Sequence, residues 1–326
     1  MTGRLSSSRA VGSHGTRRGA RRLAPTIVMV LLAVTLAGPP LRLAGEAWAA
    51  PSRGGAVFHH GDDWRHLWQV VAALKAKPPK VPVVYLLGGS AARECTINDK
   101  SWTAEVRHLG GPRVRLYDLG TSSQSYAKDI TVVNDLPAVP SIVLIGVNLG
   151  RYTFKPSGTG STGAAQQAGD LTPGRDAGAS LSTYFQHRFS VSHILTDAEK
   201  KVMVGAWLKE RYPVFKARYA YNVGELDQLI ATCQTRDLHP VLLELPLNLK
   251  IVGHAFDKPR TRYRDSCRRL ARKHGIPKID FLAKAGLVSG DFADLCHLVE
   301  PGRVKWQLKL SKTVISLLDR YGMGRD

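Results

Sequence analysis

Four short stretches of this 326-residue chain hold residue types that can do acyl chemistry. They are Gly88-Gly89-Ser90-Ala91-Ala92-Arg93-Glu94, Gly120-Thr121-Ser122-Ser123-Gln124-Ser125, Ile145-Gly146-Val147-Asn148 and Asp294-Leu295-Cys296-His297. A serine hydroxyl is a weak nucleophile until a nearby imidazole takes its proton. The imidazole needs a carboxylate to fix its tautomer and stabilise its charged form. An oxyanion developing on a substrate needs preorganised donors, each worth roughly 2.7–4 kcal/mol of barrier.

Elements must position these residues, and the pattern of apolar runs supplies them. Five short runs, each with turn signals near its end, read as strands: Val81–Leu87, Val114–Leu119, Ser141–Val147, Pro240–Leu245 and Pro277–Phe281. Near-continuous Val, Ile and Leu suits strands buried on both faces, hence a parallel sheet. Helical spacing runs from Asp62 or Asp63 to about Lys77, and over Thr196–Lys216, Leu226–Asp237, Tyr263–His274 and about Lys305–Tyr321. The alternation predicts a three-layer α/β/α domain around a five-stranded parallel sheet. In such sheets ligands sit beyond the carboxyl ends of the strands. The first three stretches fall at such ends, and the fourth precedes the last helix. Residues 156–180 hold six glycines and no apolar periodicity. With the helix after them they form an insertion, about 150–216, between the third and fourth strands, in the manner of a functional lid or a loose loop.

The four stretches, in order and so placed, resemble the blocks of the SGNH (GDSL-like) hydrolase family over residues 88–297. A Gly-Gly-Ser or an Asp-x-x-His alone is common; their ordered combination is specific. The resemblance implies a flavodoxin-like hydrolase fold with Ser90 as nucleophile, His297 as its base and Asp294 orienting the imidazole. It also implies an oxyanion hole made by the backbone N–H of Ser90, a backbone donor in the second block and the side-chain amide of Asn148. Two departures stand out. Gly89 occupies the place of the family's usual aspartate. Ser123 falls where the family has a glycine donor, with Gly120 as the alternative alignment. The α/β-hydrolase elbow Gly-x-Ser-x-Gly is not matched at residues 88–92.

If Ser90 and His297 meet, Cys95 and Cys296 come into one neighbourhood. Cys233 and Cys267 fall on helices that precede the fourth and fifth strands. Exported thiols tend to pair, so the expected disulfides are Cys95–Cys296 and Cys233–Cys267, with four reduced thiols as the alternative. His59-His60-Gly61-Asp62-Asp63-Trp64-Arg65-His66 has the types of a metal site but reads more simply as a polar lead-in and helix cap; no metal is expected. The basic run Arg260, Arg262, Arg264, Arg268, Arg269, Arg272 and Lys273 reads as the solvated face of a helix, with a polyanion-docking face as the sharper alternative.

Residues 1–49 read as an export signal. Six arginines and no acid precede an apolar run from Thr26 to Ala37, and Ala47-Trp48-Ala49 supplies a small-x-small site with cleavage expected after Ala49. Arg17-Arg18 hints at the twin-arginine route, the general secretory route being the alternative. The rest, 50–326, is expected to be one domain. The chain is 44% hydrophobic and 22% charged, which excludes collagen, coiled coil and wholesale disorder. Its net charge is +20, a sign of polyanionic partners. Residues 1–49 hold seven of the 46 Lys and Arg and one of the 26 Asp and Glu, so the remainder still carries +14.

Export removes nucleic acid as a partner and favours an anionic envelope polymer. The expectation is a secreted or envelope-associated monomeric serine esterase, free of cofactors, acting on acyl or acetyl esters of lipid or carbohydrate. Two alternatives use the same scaffold: an O-acyltransferase acting on envelope carbohydrate, and a non-catalytic polyanion-binding protein.

Overall fold

The chain divides after Ala50 into a first unit, Met1–Ala50, and a second, Pro51–Asp326. The computed structural model describes residues 60–155 and 194–324, all in the second unit. The export segment with its cleavage site, the glycine-rich stretch 156–180 and the side chains of the histidine-rich lead-in, Trp64 apart, lie outside the described residues.

The second unit is an α/β fold. Five parallel strands, β1 (Val83–Leu87), β2 (Arg115–Asp118), β3 (Ser141–Val147), β4 (His239–Glu244) and β5 (Lys278–Ile279), lie in the order β2-β1-β3-β4-β5. This is a flavodoxin-like order, whose topological switch point lies between β1 and β3. All residues of β1 and β3 are buried, as their uninterrupted apolar sequences require of strands covered on both faces. The register pairs Leu87 with Ile145. Ser90 and Asn148, each three residues further on, therefore leave the sheet at the same level on either side of the switch point.

The helices begin where the sequence can cap them. Asn98 accepts from Ser101 N–H at 2.7 Å at the start of α3 (Asp99–His108), which follows a single turn, α2 (Ser90–Arg93). Ser125 caps α4 (Tyr126–Asp135) through Lys128 N–H at 3.3 Å. Asn98 and Ser125 thus each satisfy an otherwise orphaned N–H. The lead-in helix α1 (His60–Ala76) starts slightly before the expected Asp62 or Asp63.

The helices expected as Thr196–Lys216 and Leu226–Asp237 are one run: α5 (Asp197–Ala206), a π turn (Trp207–Arg211) and α6 (Tyr212–Thr235). Pro213 has no N–H for the ladder, and widening the preceding turn accommodates it. The second half of the expected insertion is therefore continuous with the helix that leads into β4. Beyond β4 come the turn α7 (Leu249–Val252) and α8 (Asp257–His274), which ends on Gly275 in the left-handed conformation.

β5 is two residues long rather than five. Pro277 cannot donate, and beyond Ile279 the chain is drawn off by Asp280, which pairs with Arg264 and Lys278, and by Phe281, whose ring lies 4.5 Å from that of Trp306. The last helix, α9 (Glu300–Arg320), starts five residues before the expected Lys305, because Pro301 is well suited to a first helical turn.

Candidate active site

Ser90 opens α2 directly after β1, so its N–H has no acceptor within the helix. Gly88 is required there: a Cβ on it would lie 2.6 Å from the Cβ of Ala92. Gly89 is not, since a Cβ on it would meet nothing within 4 Å. Position 89 thus has room for a larger side chain.

His297 stands between two partners. Its Nε2 lies 2.8 Å from Ser90 Oγ, and its Nδ1 lies 2.6 Å from Asp294 Oδ2. The other carboxylate oxygen of Asp294 accepts the backbone N–H groups of Cys296 at 2.8 Å and His297 at 2.9 Å. Burial works against ionising either group. For Asp294 the imidazole and these N–H donors outweigh it and hold the carboxyl below its ordinary range. For His297 burial is likewise outweighed, by the adjoining carboxylate, and the imidazole is raised well above its ordinary 6.5. Ser90, Asp294 and His297, separated in sequence by about two hundred positions, are therefore in one hydrogen-bonded chain.

Several contacts the sequence did not reveal hold this loop in place. Ala293 N–H donates to His297 C=O at 2.8 Å, closing the loop on itself. Asn248 N–H donates to Leu295 C=O at 2.8 Å, and Leu195 N–H to Ala293 C=O at 3.0 Å. Lys200, buried on α5, donates to the carbonyl of Ser289 at 2.8 Å. On the side of Ser90, Arg303 of α9 pairs with the buried Glu94 and donates from Nε to its carbonyl at 3.2 Å. Lys200 and Arg303 are of types that are mostly exposed, and nothing in spacing alone marks a cation as buried.

The oxyanion-hole candidates separate on geometry. Gly120 N–H is already committed to Asp118 Oδ1 at 3.0 Å. Gly120 is needed for close approach instead, since a Cβ there would lie 2.6 Å from Arg93 N. Ser123 has φ 57, the left-handed conformation that glycine favours. Asn148 Oδ1 accepts Arg151 N–H at 3.1 Å, which fixes the carbonyl end of that side chain and makes its NH2 end the one left for a substrate oxygen.

The expected disulfides are not formed among the described residues. Cys95 and Cys296 share one core region, as anticipated, but their sulfurs are not bonded to each other. Cys296 Sγ lies instead 3.8 Å from His297 Nδ1. Cys233 and Cys267 sit on packed helices but face different surroundings. Cys267 Sγ contacts the Tyr152 hydroxyl at 3.4 Å, whereas the charges that act on Cys233 are those of Asp129 and Arg236. Burial pushes Cys267 up to about 11 and Cys233 up to about 12, so both are inert thiols. Helix order anticipated the neighbourhood but not the direction of each side chain.

Asp294, Cys296 and His297 also place metal-ligating atoms within 4.8 Å of one another. The Asp294 oxygens and both His297 nitrogens are already engaged with each other, with backbone donors or with Ser90.

No family model matches the chain, and no curated protein matches its sequence. Among solved structures, it is similar to a member of the lipolytic protein G-D-S-L family from Veillonella parvula, with TM-score 0.40 and 13% identity over 71% of this chain and 97% of that one. It is similar to a GDSL-like lipase from Bacteroides thetaiotaomicron, with TM-score 0.41 and 13% identity over 78% and 97%. It is also similar to an α/β hydrolase enzyme from the metagenome of Lake Arreo, Spain, with TM-score 0.40 and 16% identity over 72% and 95%. These likenesses are distant, and the chemistry of the site rests on its own distances.

Proposed function

We propose that the chain is a serine esterase acting on acyl or acetyl esters. The observation that carries this is the chain of contacts from Ser90 Oγ through His297 to Asp294, at 2.8 and 2.6 Å, at the switch point of a parallel sheet. Ser90 Oγ attacks the ester carbonyl carbon while His297 Nε2 takes the hydroxyl proton. The oxyanion is held by Ser90 N–H, Ser123 N–H and the Asn148 amide. Collapse breaks the ester C–O bond, and His297 returns its proton to the leaving alcohol. Water, deprotonated by His297, then attacks the acyl-enzyme, and the acid leaves as Ser90 recovers its proton.

No step calls for a metal or an organic cofactor. On the sequence of residues 1–49 the enzyme works outside the cytoplasm, and the +14 of the remainder suits an anionic envelope polymer as its surroundings. Hydrolysis of a short-chain aryl ester by the wild type, and its loss in Ser90→Ala, is the expected result. A wild type inert to aryl esters and unlabelled by a fluorophosphonate would remove the proposal. Transfer of the acyl group to added carbohydrate, measured beside hydrolysis, assigns the acceptor.

A further inference from the structure

The two sides of the proposed oxyanion hole come from different strands. Ser123 lies in the loop after β2, and Asn148 follows β3. A single buried chain of polar contacts joins these two loops. Thr121 N–H, two residues before Ser123, donates to Gln124 Oε1 at 2.8 Å. Gln124 Nε2 donates to Asp129 Oδ1 at 2.6 Å. The other Asp129 oxygen pairs with the guanidinium of Arg151. Arg151 also donates from Nη1 to the Gly146 carbonyl at 2.6 Å, and from its backbone to Asn148 Oδ1 at 3.1 Å. Its guanidinium lies over the ring of Tyr126, 3.9 Å from the centroid. Gln124 and Asp129 are fully buried and Arg151 is 1% exposed.

We infer that Gln124, Asp129 and Arg151 are positioning residues that hold the two sides of the oxyanion hole at a fixed separation. This rests on the esterase reading above. Three features carry it. The chain begins on the backbone of one hole loop and ends on the amide of the other. Each link is a direct hydrogen bond or ion pair between buried groups, so a shift at Asn148 is passed on toward Thr121. The Asp129–Arg151 pair also satisfies the Gly146 carbonyl, on the strand that delivers Asn148. Transition-state stabilisation by such donors depends on preorganisation, and small misplacements are expensive in rate. The links of this chain run through Thr121, Gln124, Asp129, Arg151 and Asn148, apart from the hydrogen bonds that join Ser90, His297 and Asp294.

The test is Gln124→Met, a change of similar volume that removes both of its hydrogen bonds. Thr121 N–H keeps the Gly88 carbonyl at 3.1 Å, so no backbone donor is orphaned. On an aryl acetate, kcat is expected to fall roughly tenfold to a hundredfold with KM little changed. Affinity for phenylboronic acid, which forms a tetrahedral adduct on the serine, is expected to fall by the same factor. In an Asn148→Ala background the same substitution is expected to have a much smaller effect, because the donor it positions is gone. Asp129→Asn serves as the second variant if Gln124→Met does not fold. A folded variant with wild-type kcat and boronate affinity overturns the inference, as does a full, independent loss in the Asn148→Ala background. Either result, obtained with an active wild type whose activity is lost in Ser90→Ala, leaves the esterase reading standing. An inert wild type overturns both.

Discussion

Arg303 and Glu94 stand 209 positions apart in sequence and are joined twice, by an ion pair and by Nε donating to the Glu94 carbonyl at 3.2 Å. Glu94 is four residues past Ser90, and Arg303 is six past His297. The pair therefore joins the segment that carries Ser90 to the helix that follows His297. It is reinforced along α9 by Gln307 Oε1 accepting Ile97 N–H at 2.9 Å and by Ser311 Oγ donating to Glu105 at 2.8 Å. Arg303→Met leaves the buried Glu94 carboxylate without its partner on α9. Arg93 keeps its own contact with Glu94 at 2.8 Å, so the loss of stability is expected near about 3 kcal/mol, the low end for a broken buried pair. Urea unfolding checks the stability, and kcat of the folded variant checks the coupling. Unchanged values for both would show the tie to be incidental.

The first block contains two adjacent glycines that respond oppositely to substitution. Gly88→Ala places a methyl 2.6 Å from the Ala92 Cβ. This overpacking is expected to cost about 1–3 kcal/mol and to displace Ser90, lowering kcat. Gly89→Asp, which restores the family's residue, meets open space and is expected to change stability by less than about 1 kcal/mol. Thermal melts and ester hydrolysis of the pair decide it; equal effects at both positions would contradict the packing.

Ser123 carries a comparable strain in its backbone. At φ 57 a non-glycine residue gives up about 1 kcal/mol. Ser123→Gly removes that strain while keeping the N–H, so activity is expected to be retained with stability equal or slightly higher. Ser123→Val, β-branched in a left-handed conformation, is expected to lose both. The two melts and the two kcat values form the check, and a Val variant as stable as the Gly variant would refute it.

The strands were legible because burial on both faces demands near-continuous apolar runs, and β3 was read to its final residues. Ser90, Asn148, Asp294 and His297 were picked out by the family resemblance together with their places after a strand or before the last helix, and the structure brings Ser90, His297 and Asp294 within hydrogen-bond distance. The brace through Gln124, Asp129 and Arg151 was not. Its members are polar types that are mostly exposed; Arg151 reaches Asn148 through a local cap, but only the fold brings its guanidinium to the buried Asp129. The thiols failed for a related reason: helix order predicts neighbours, whereas a disulfide needs two Cβ vectors that converge.

The cysteines lend themselves to a direct count. Unfolded in denaturant without reductant, the protein is expected to titrate four thiols per chain. In the folded state Cys233 and Cys267 are expected to be unreactive, since both are buried and their thiols are shifted up. Two thiols or none on unfolding, or a melting temperature lowered by reductant, would restore the disulfides that the structure lacks.

The Asp294–His297 pair makes a prediction in pH. Burial opposes the imidazolium, but the carboxylate 2.6 Å away more than compensates, and His297 is held well above 6.5. Only neutral His297 can accept the Ser90 proton. The rate constant kcat/KM is therefore expected to rise with pH along a limb whose midpoint lies above 6.5 and to level off beyond it. Asp294→Asn removes the compensating charge and leaves the burial, so the midpoint moves down while the rate drops by a factor on the order of 10⁴.

The same shift has a consequence for stability. A group whose folded pKa is raised adds stability below its unfolded pKa and loses it as pH climbs through the folded value. Ser90→Ala, which keeps the pair without the chemistry, is expected to melt at falling temperature as pH rises above 6.5. The Ser90→Ala, Asp294→Asn double variant is expected to lose that slope. A rate limb that stays in place when Asp294 is neutralised would mean that another group titrates, and that the 2.6 Å contact does not set the charge of His297.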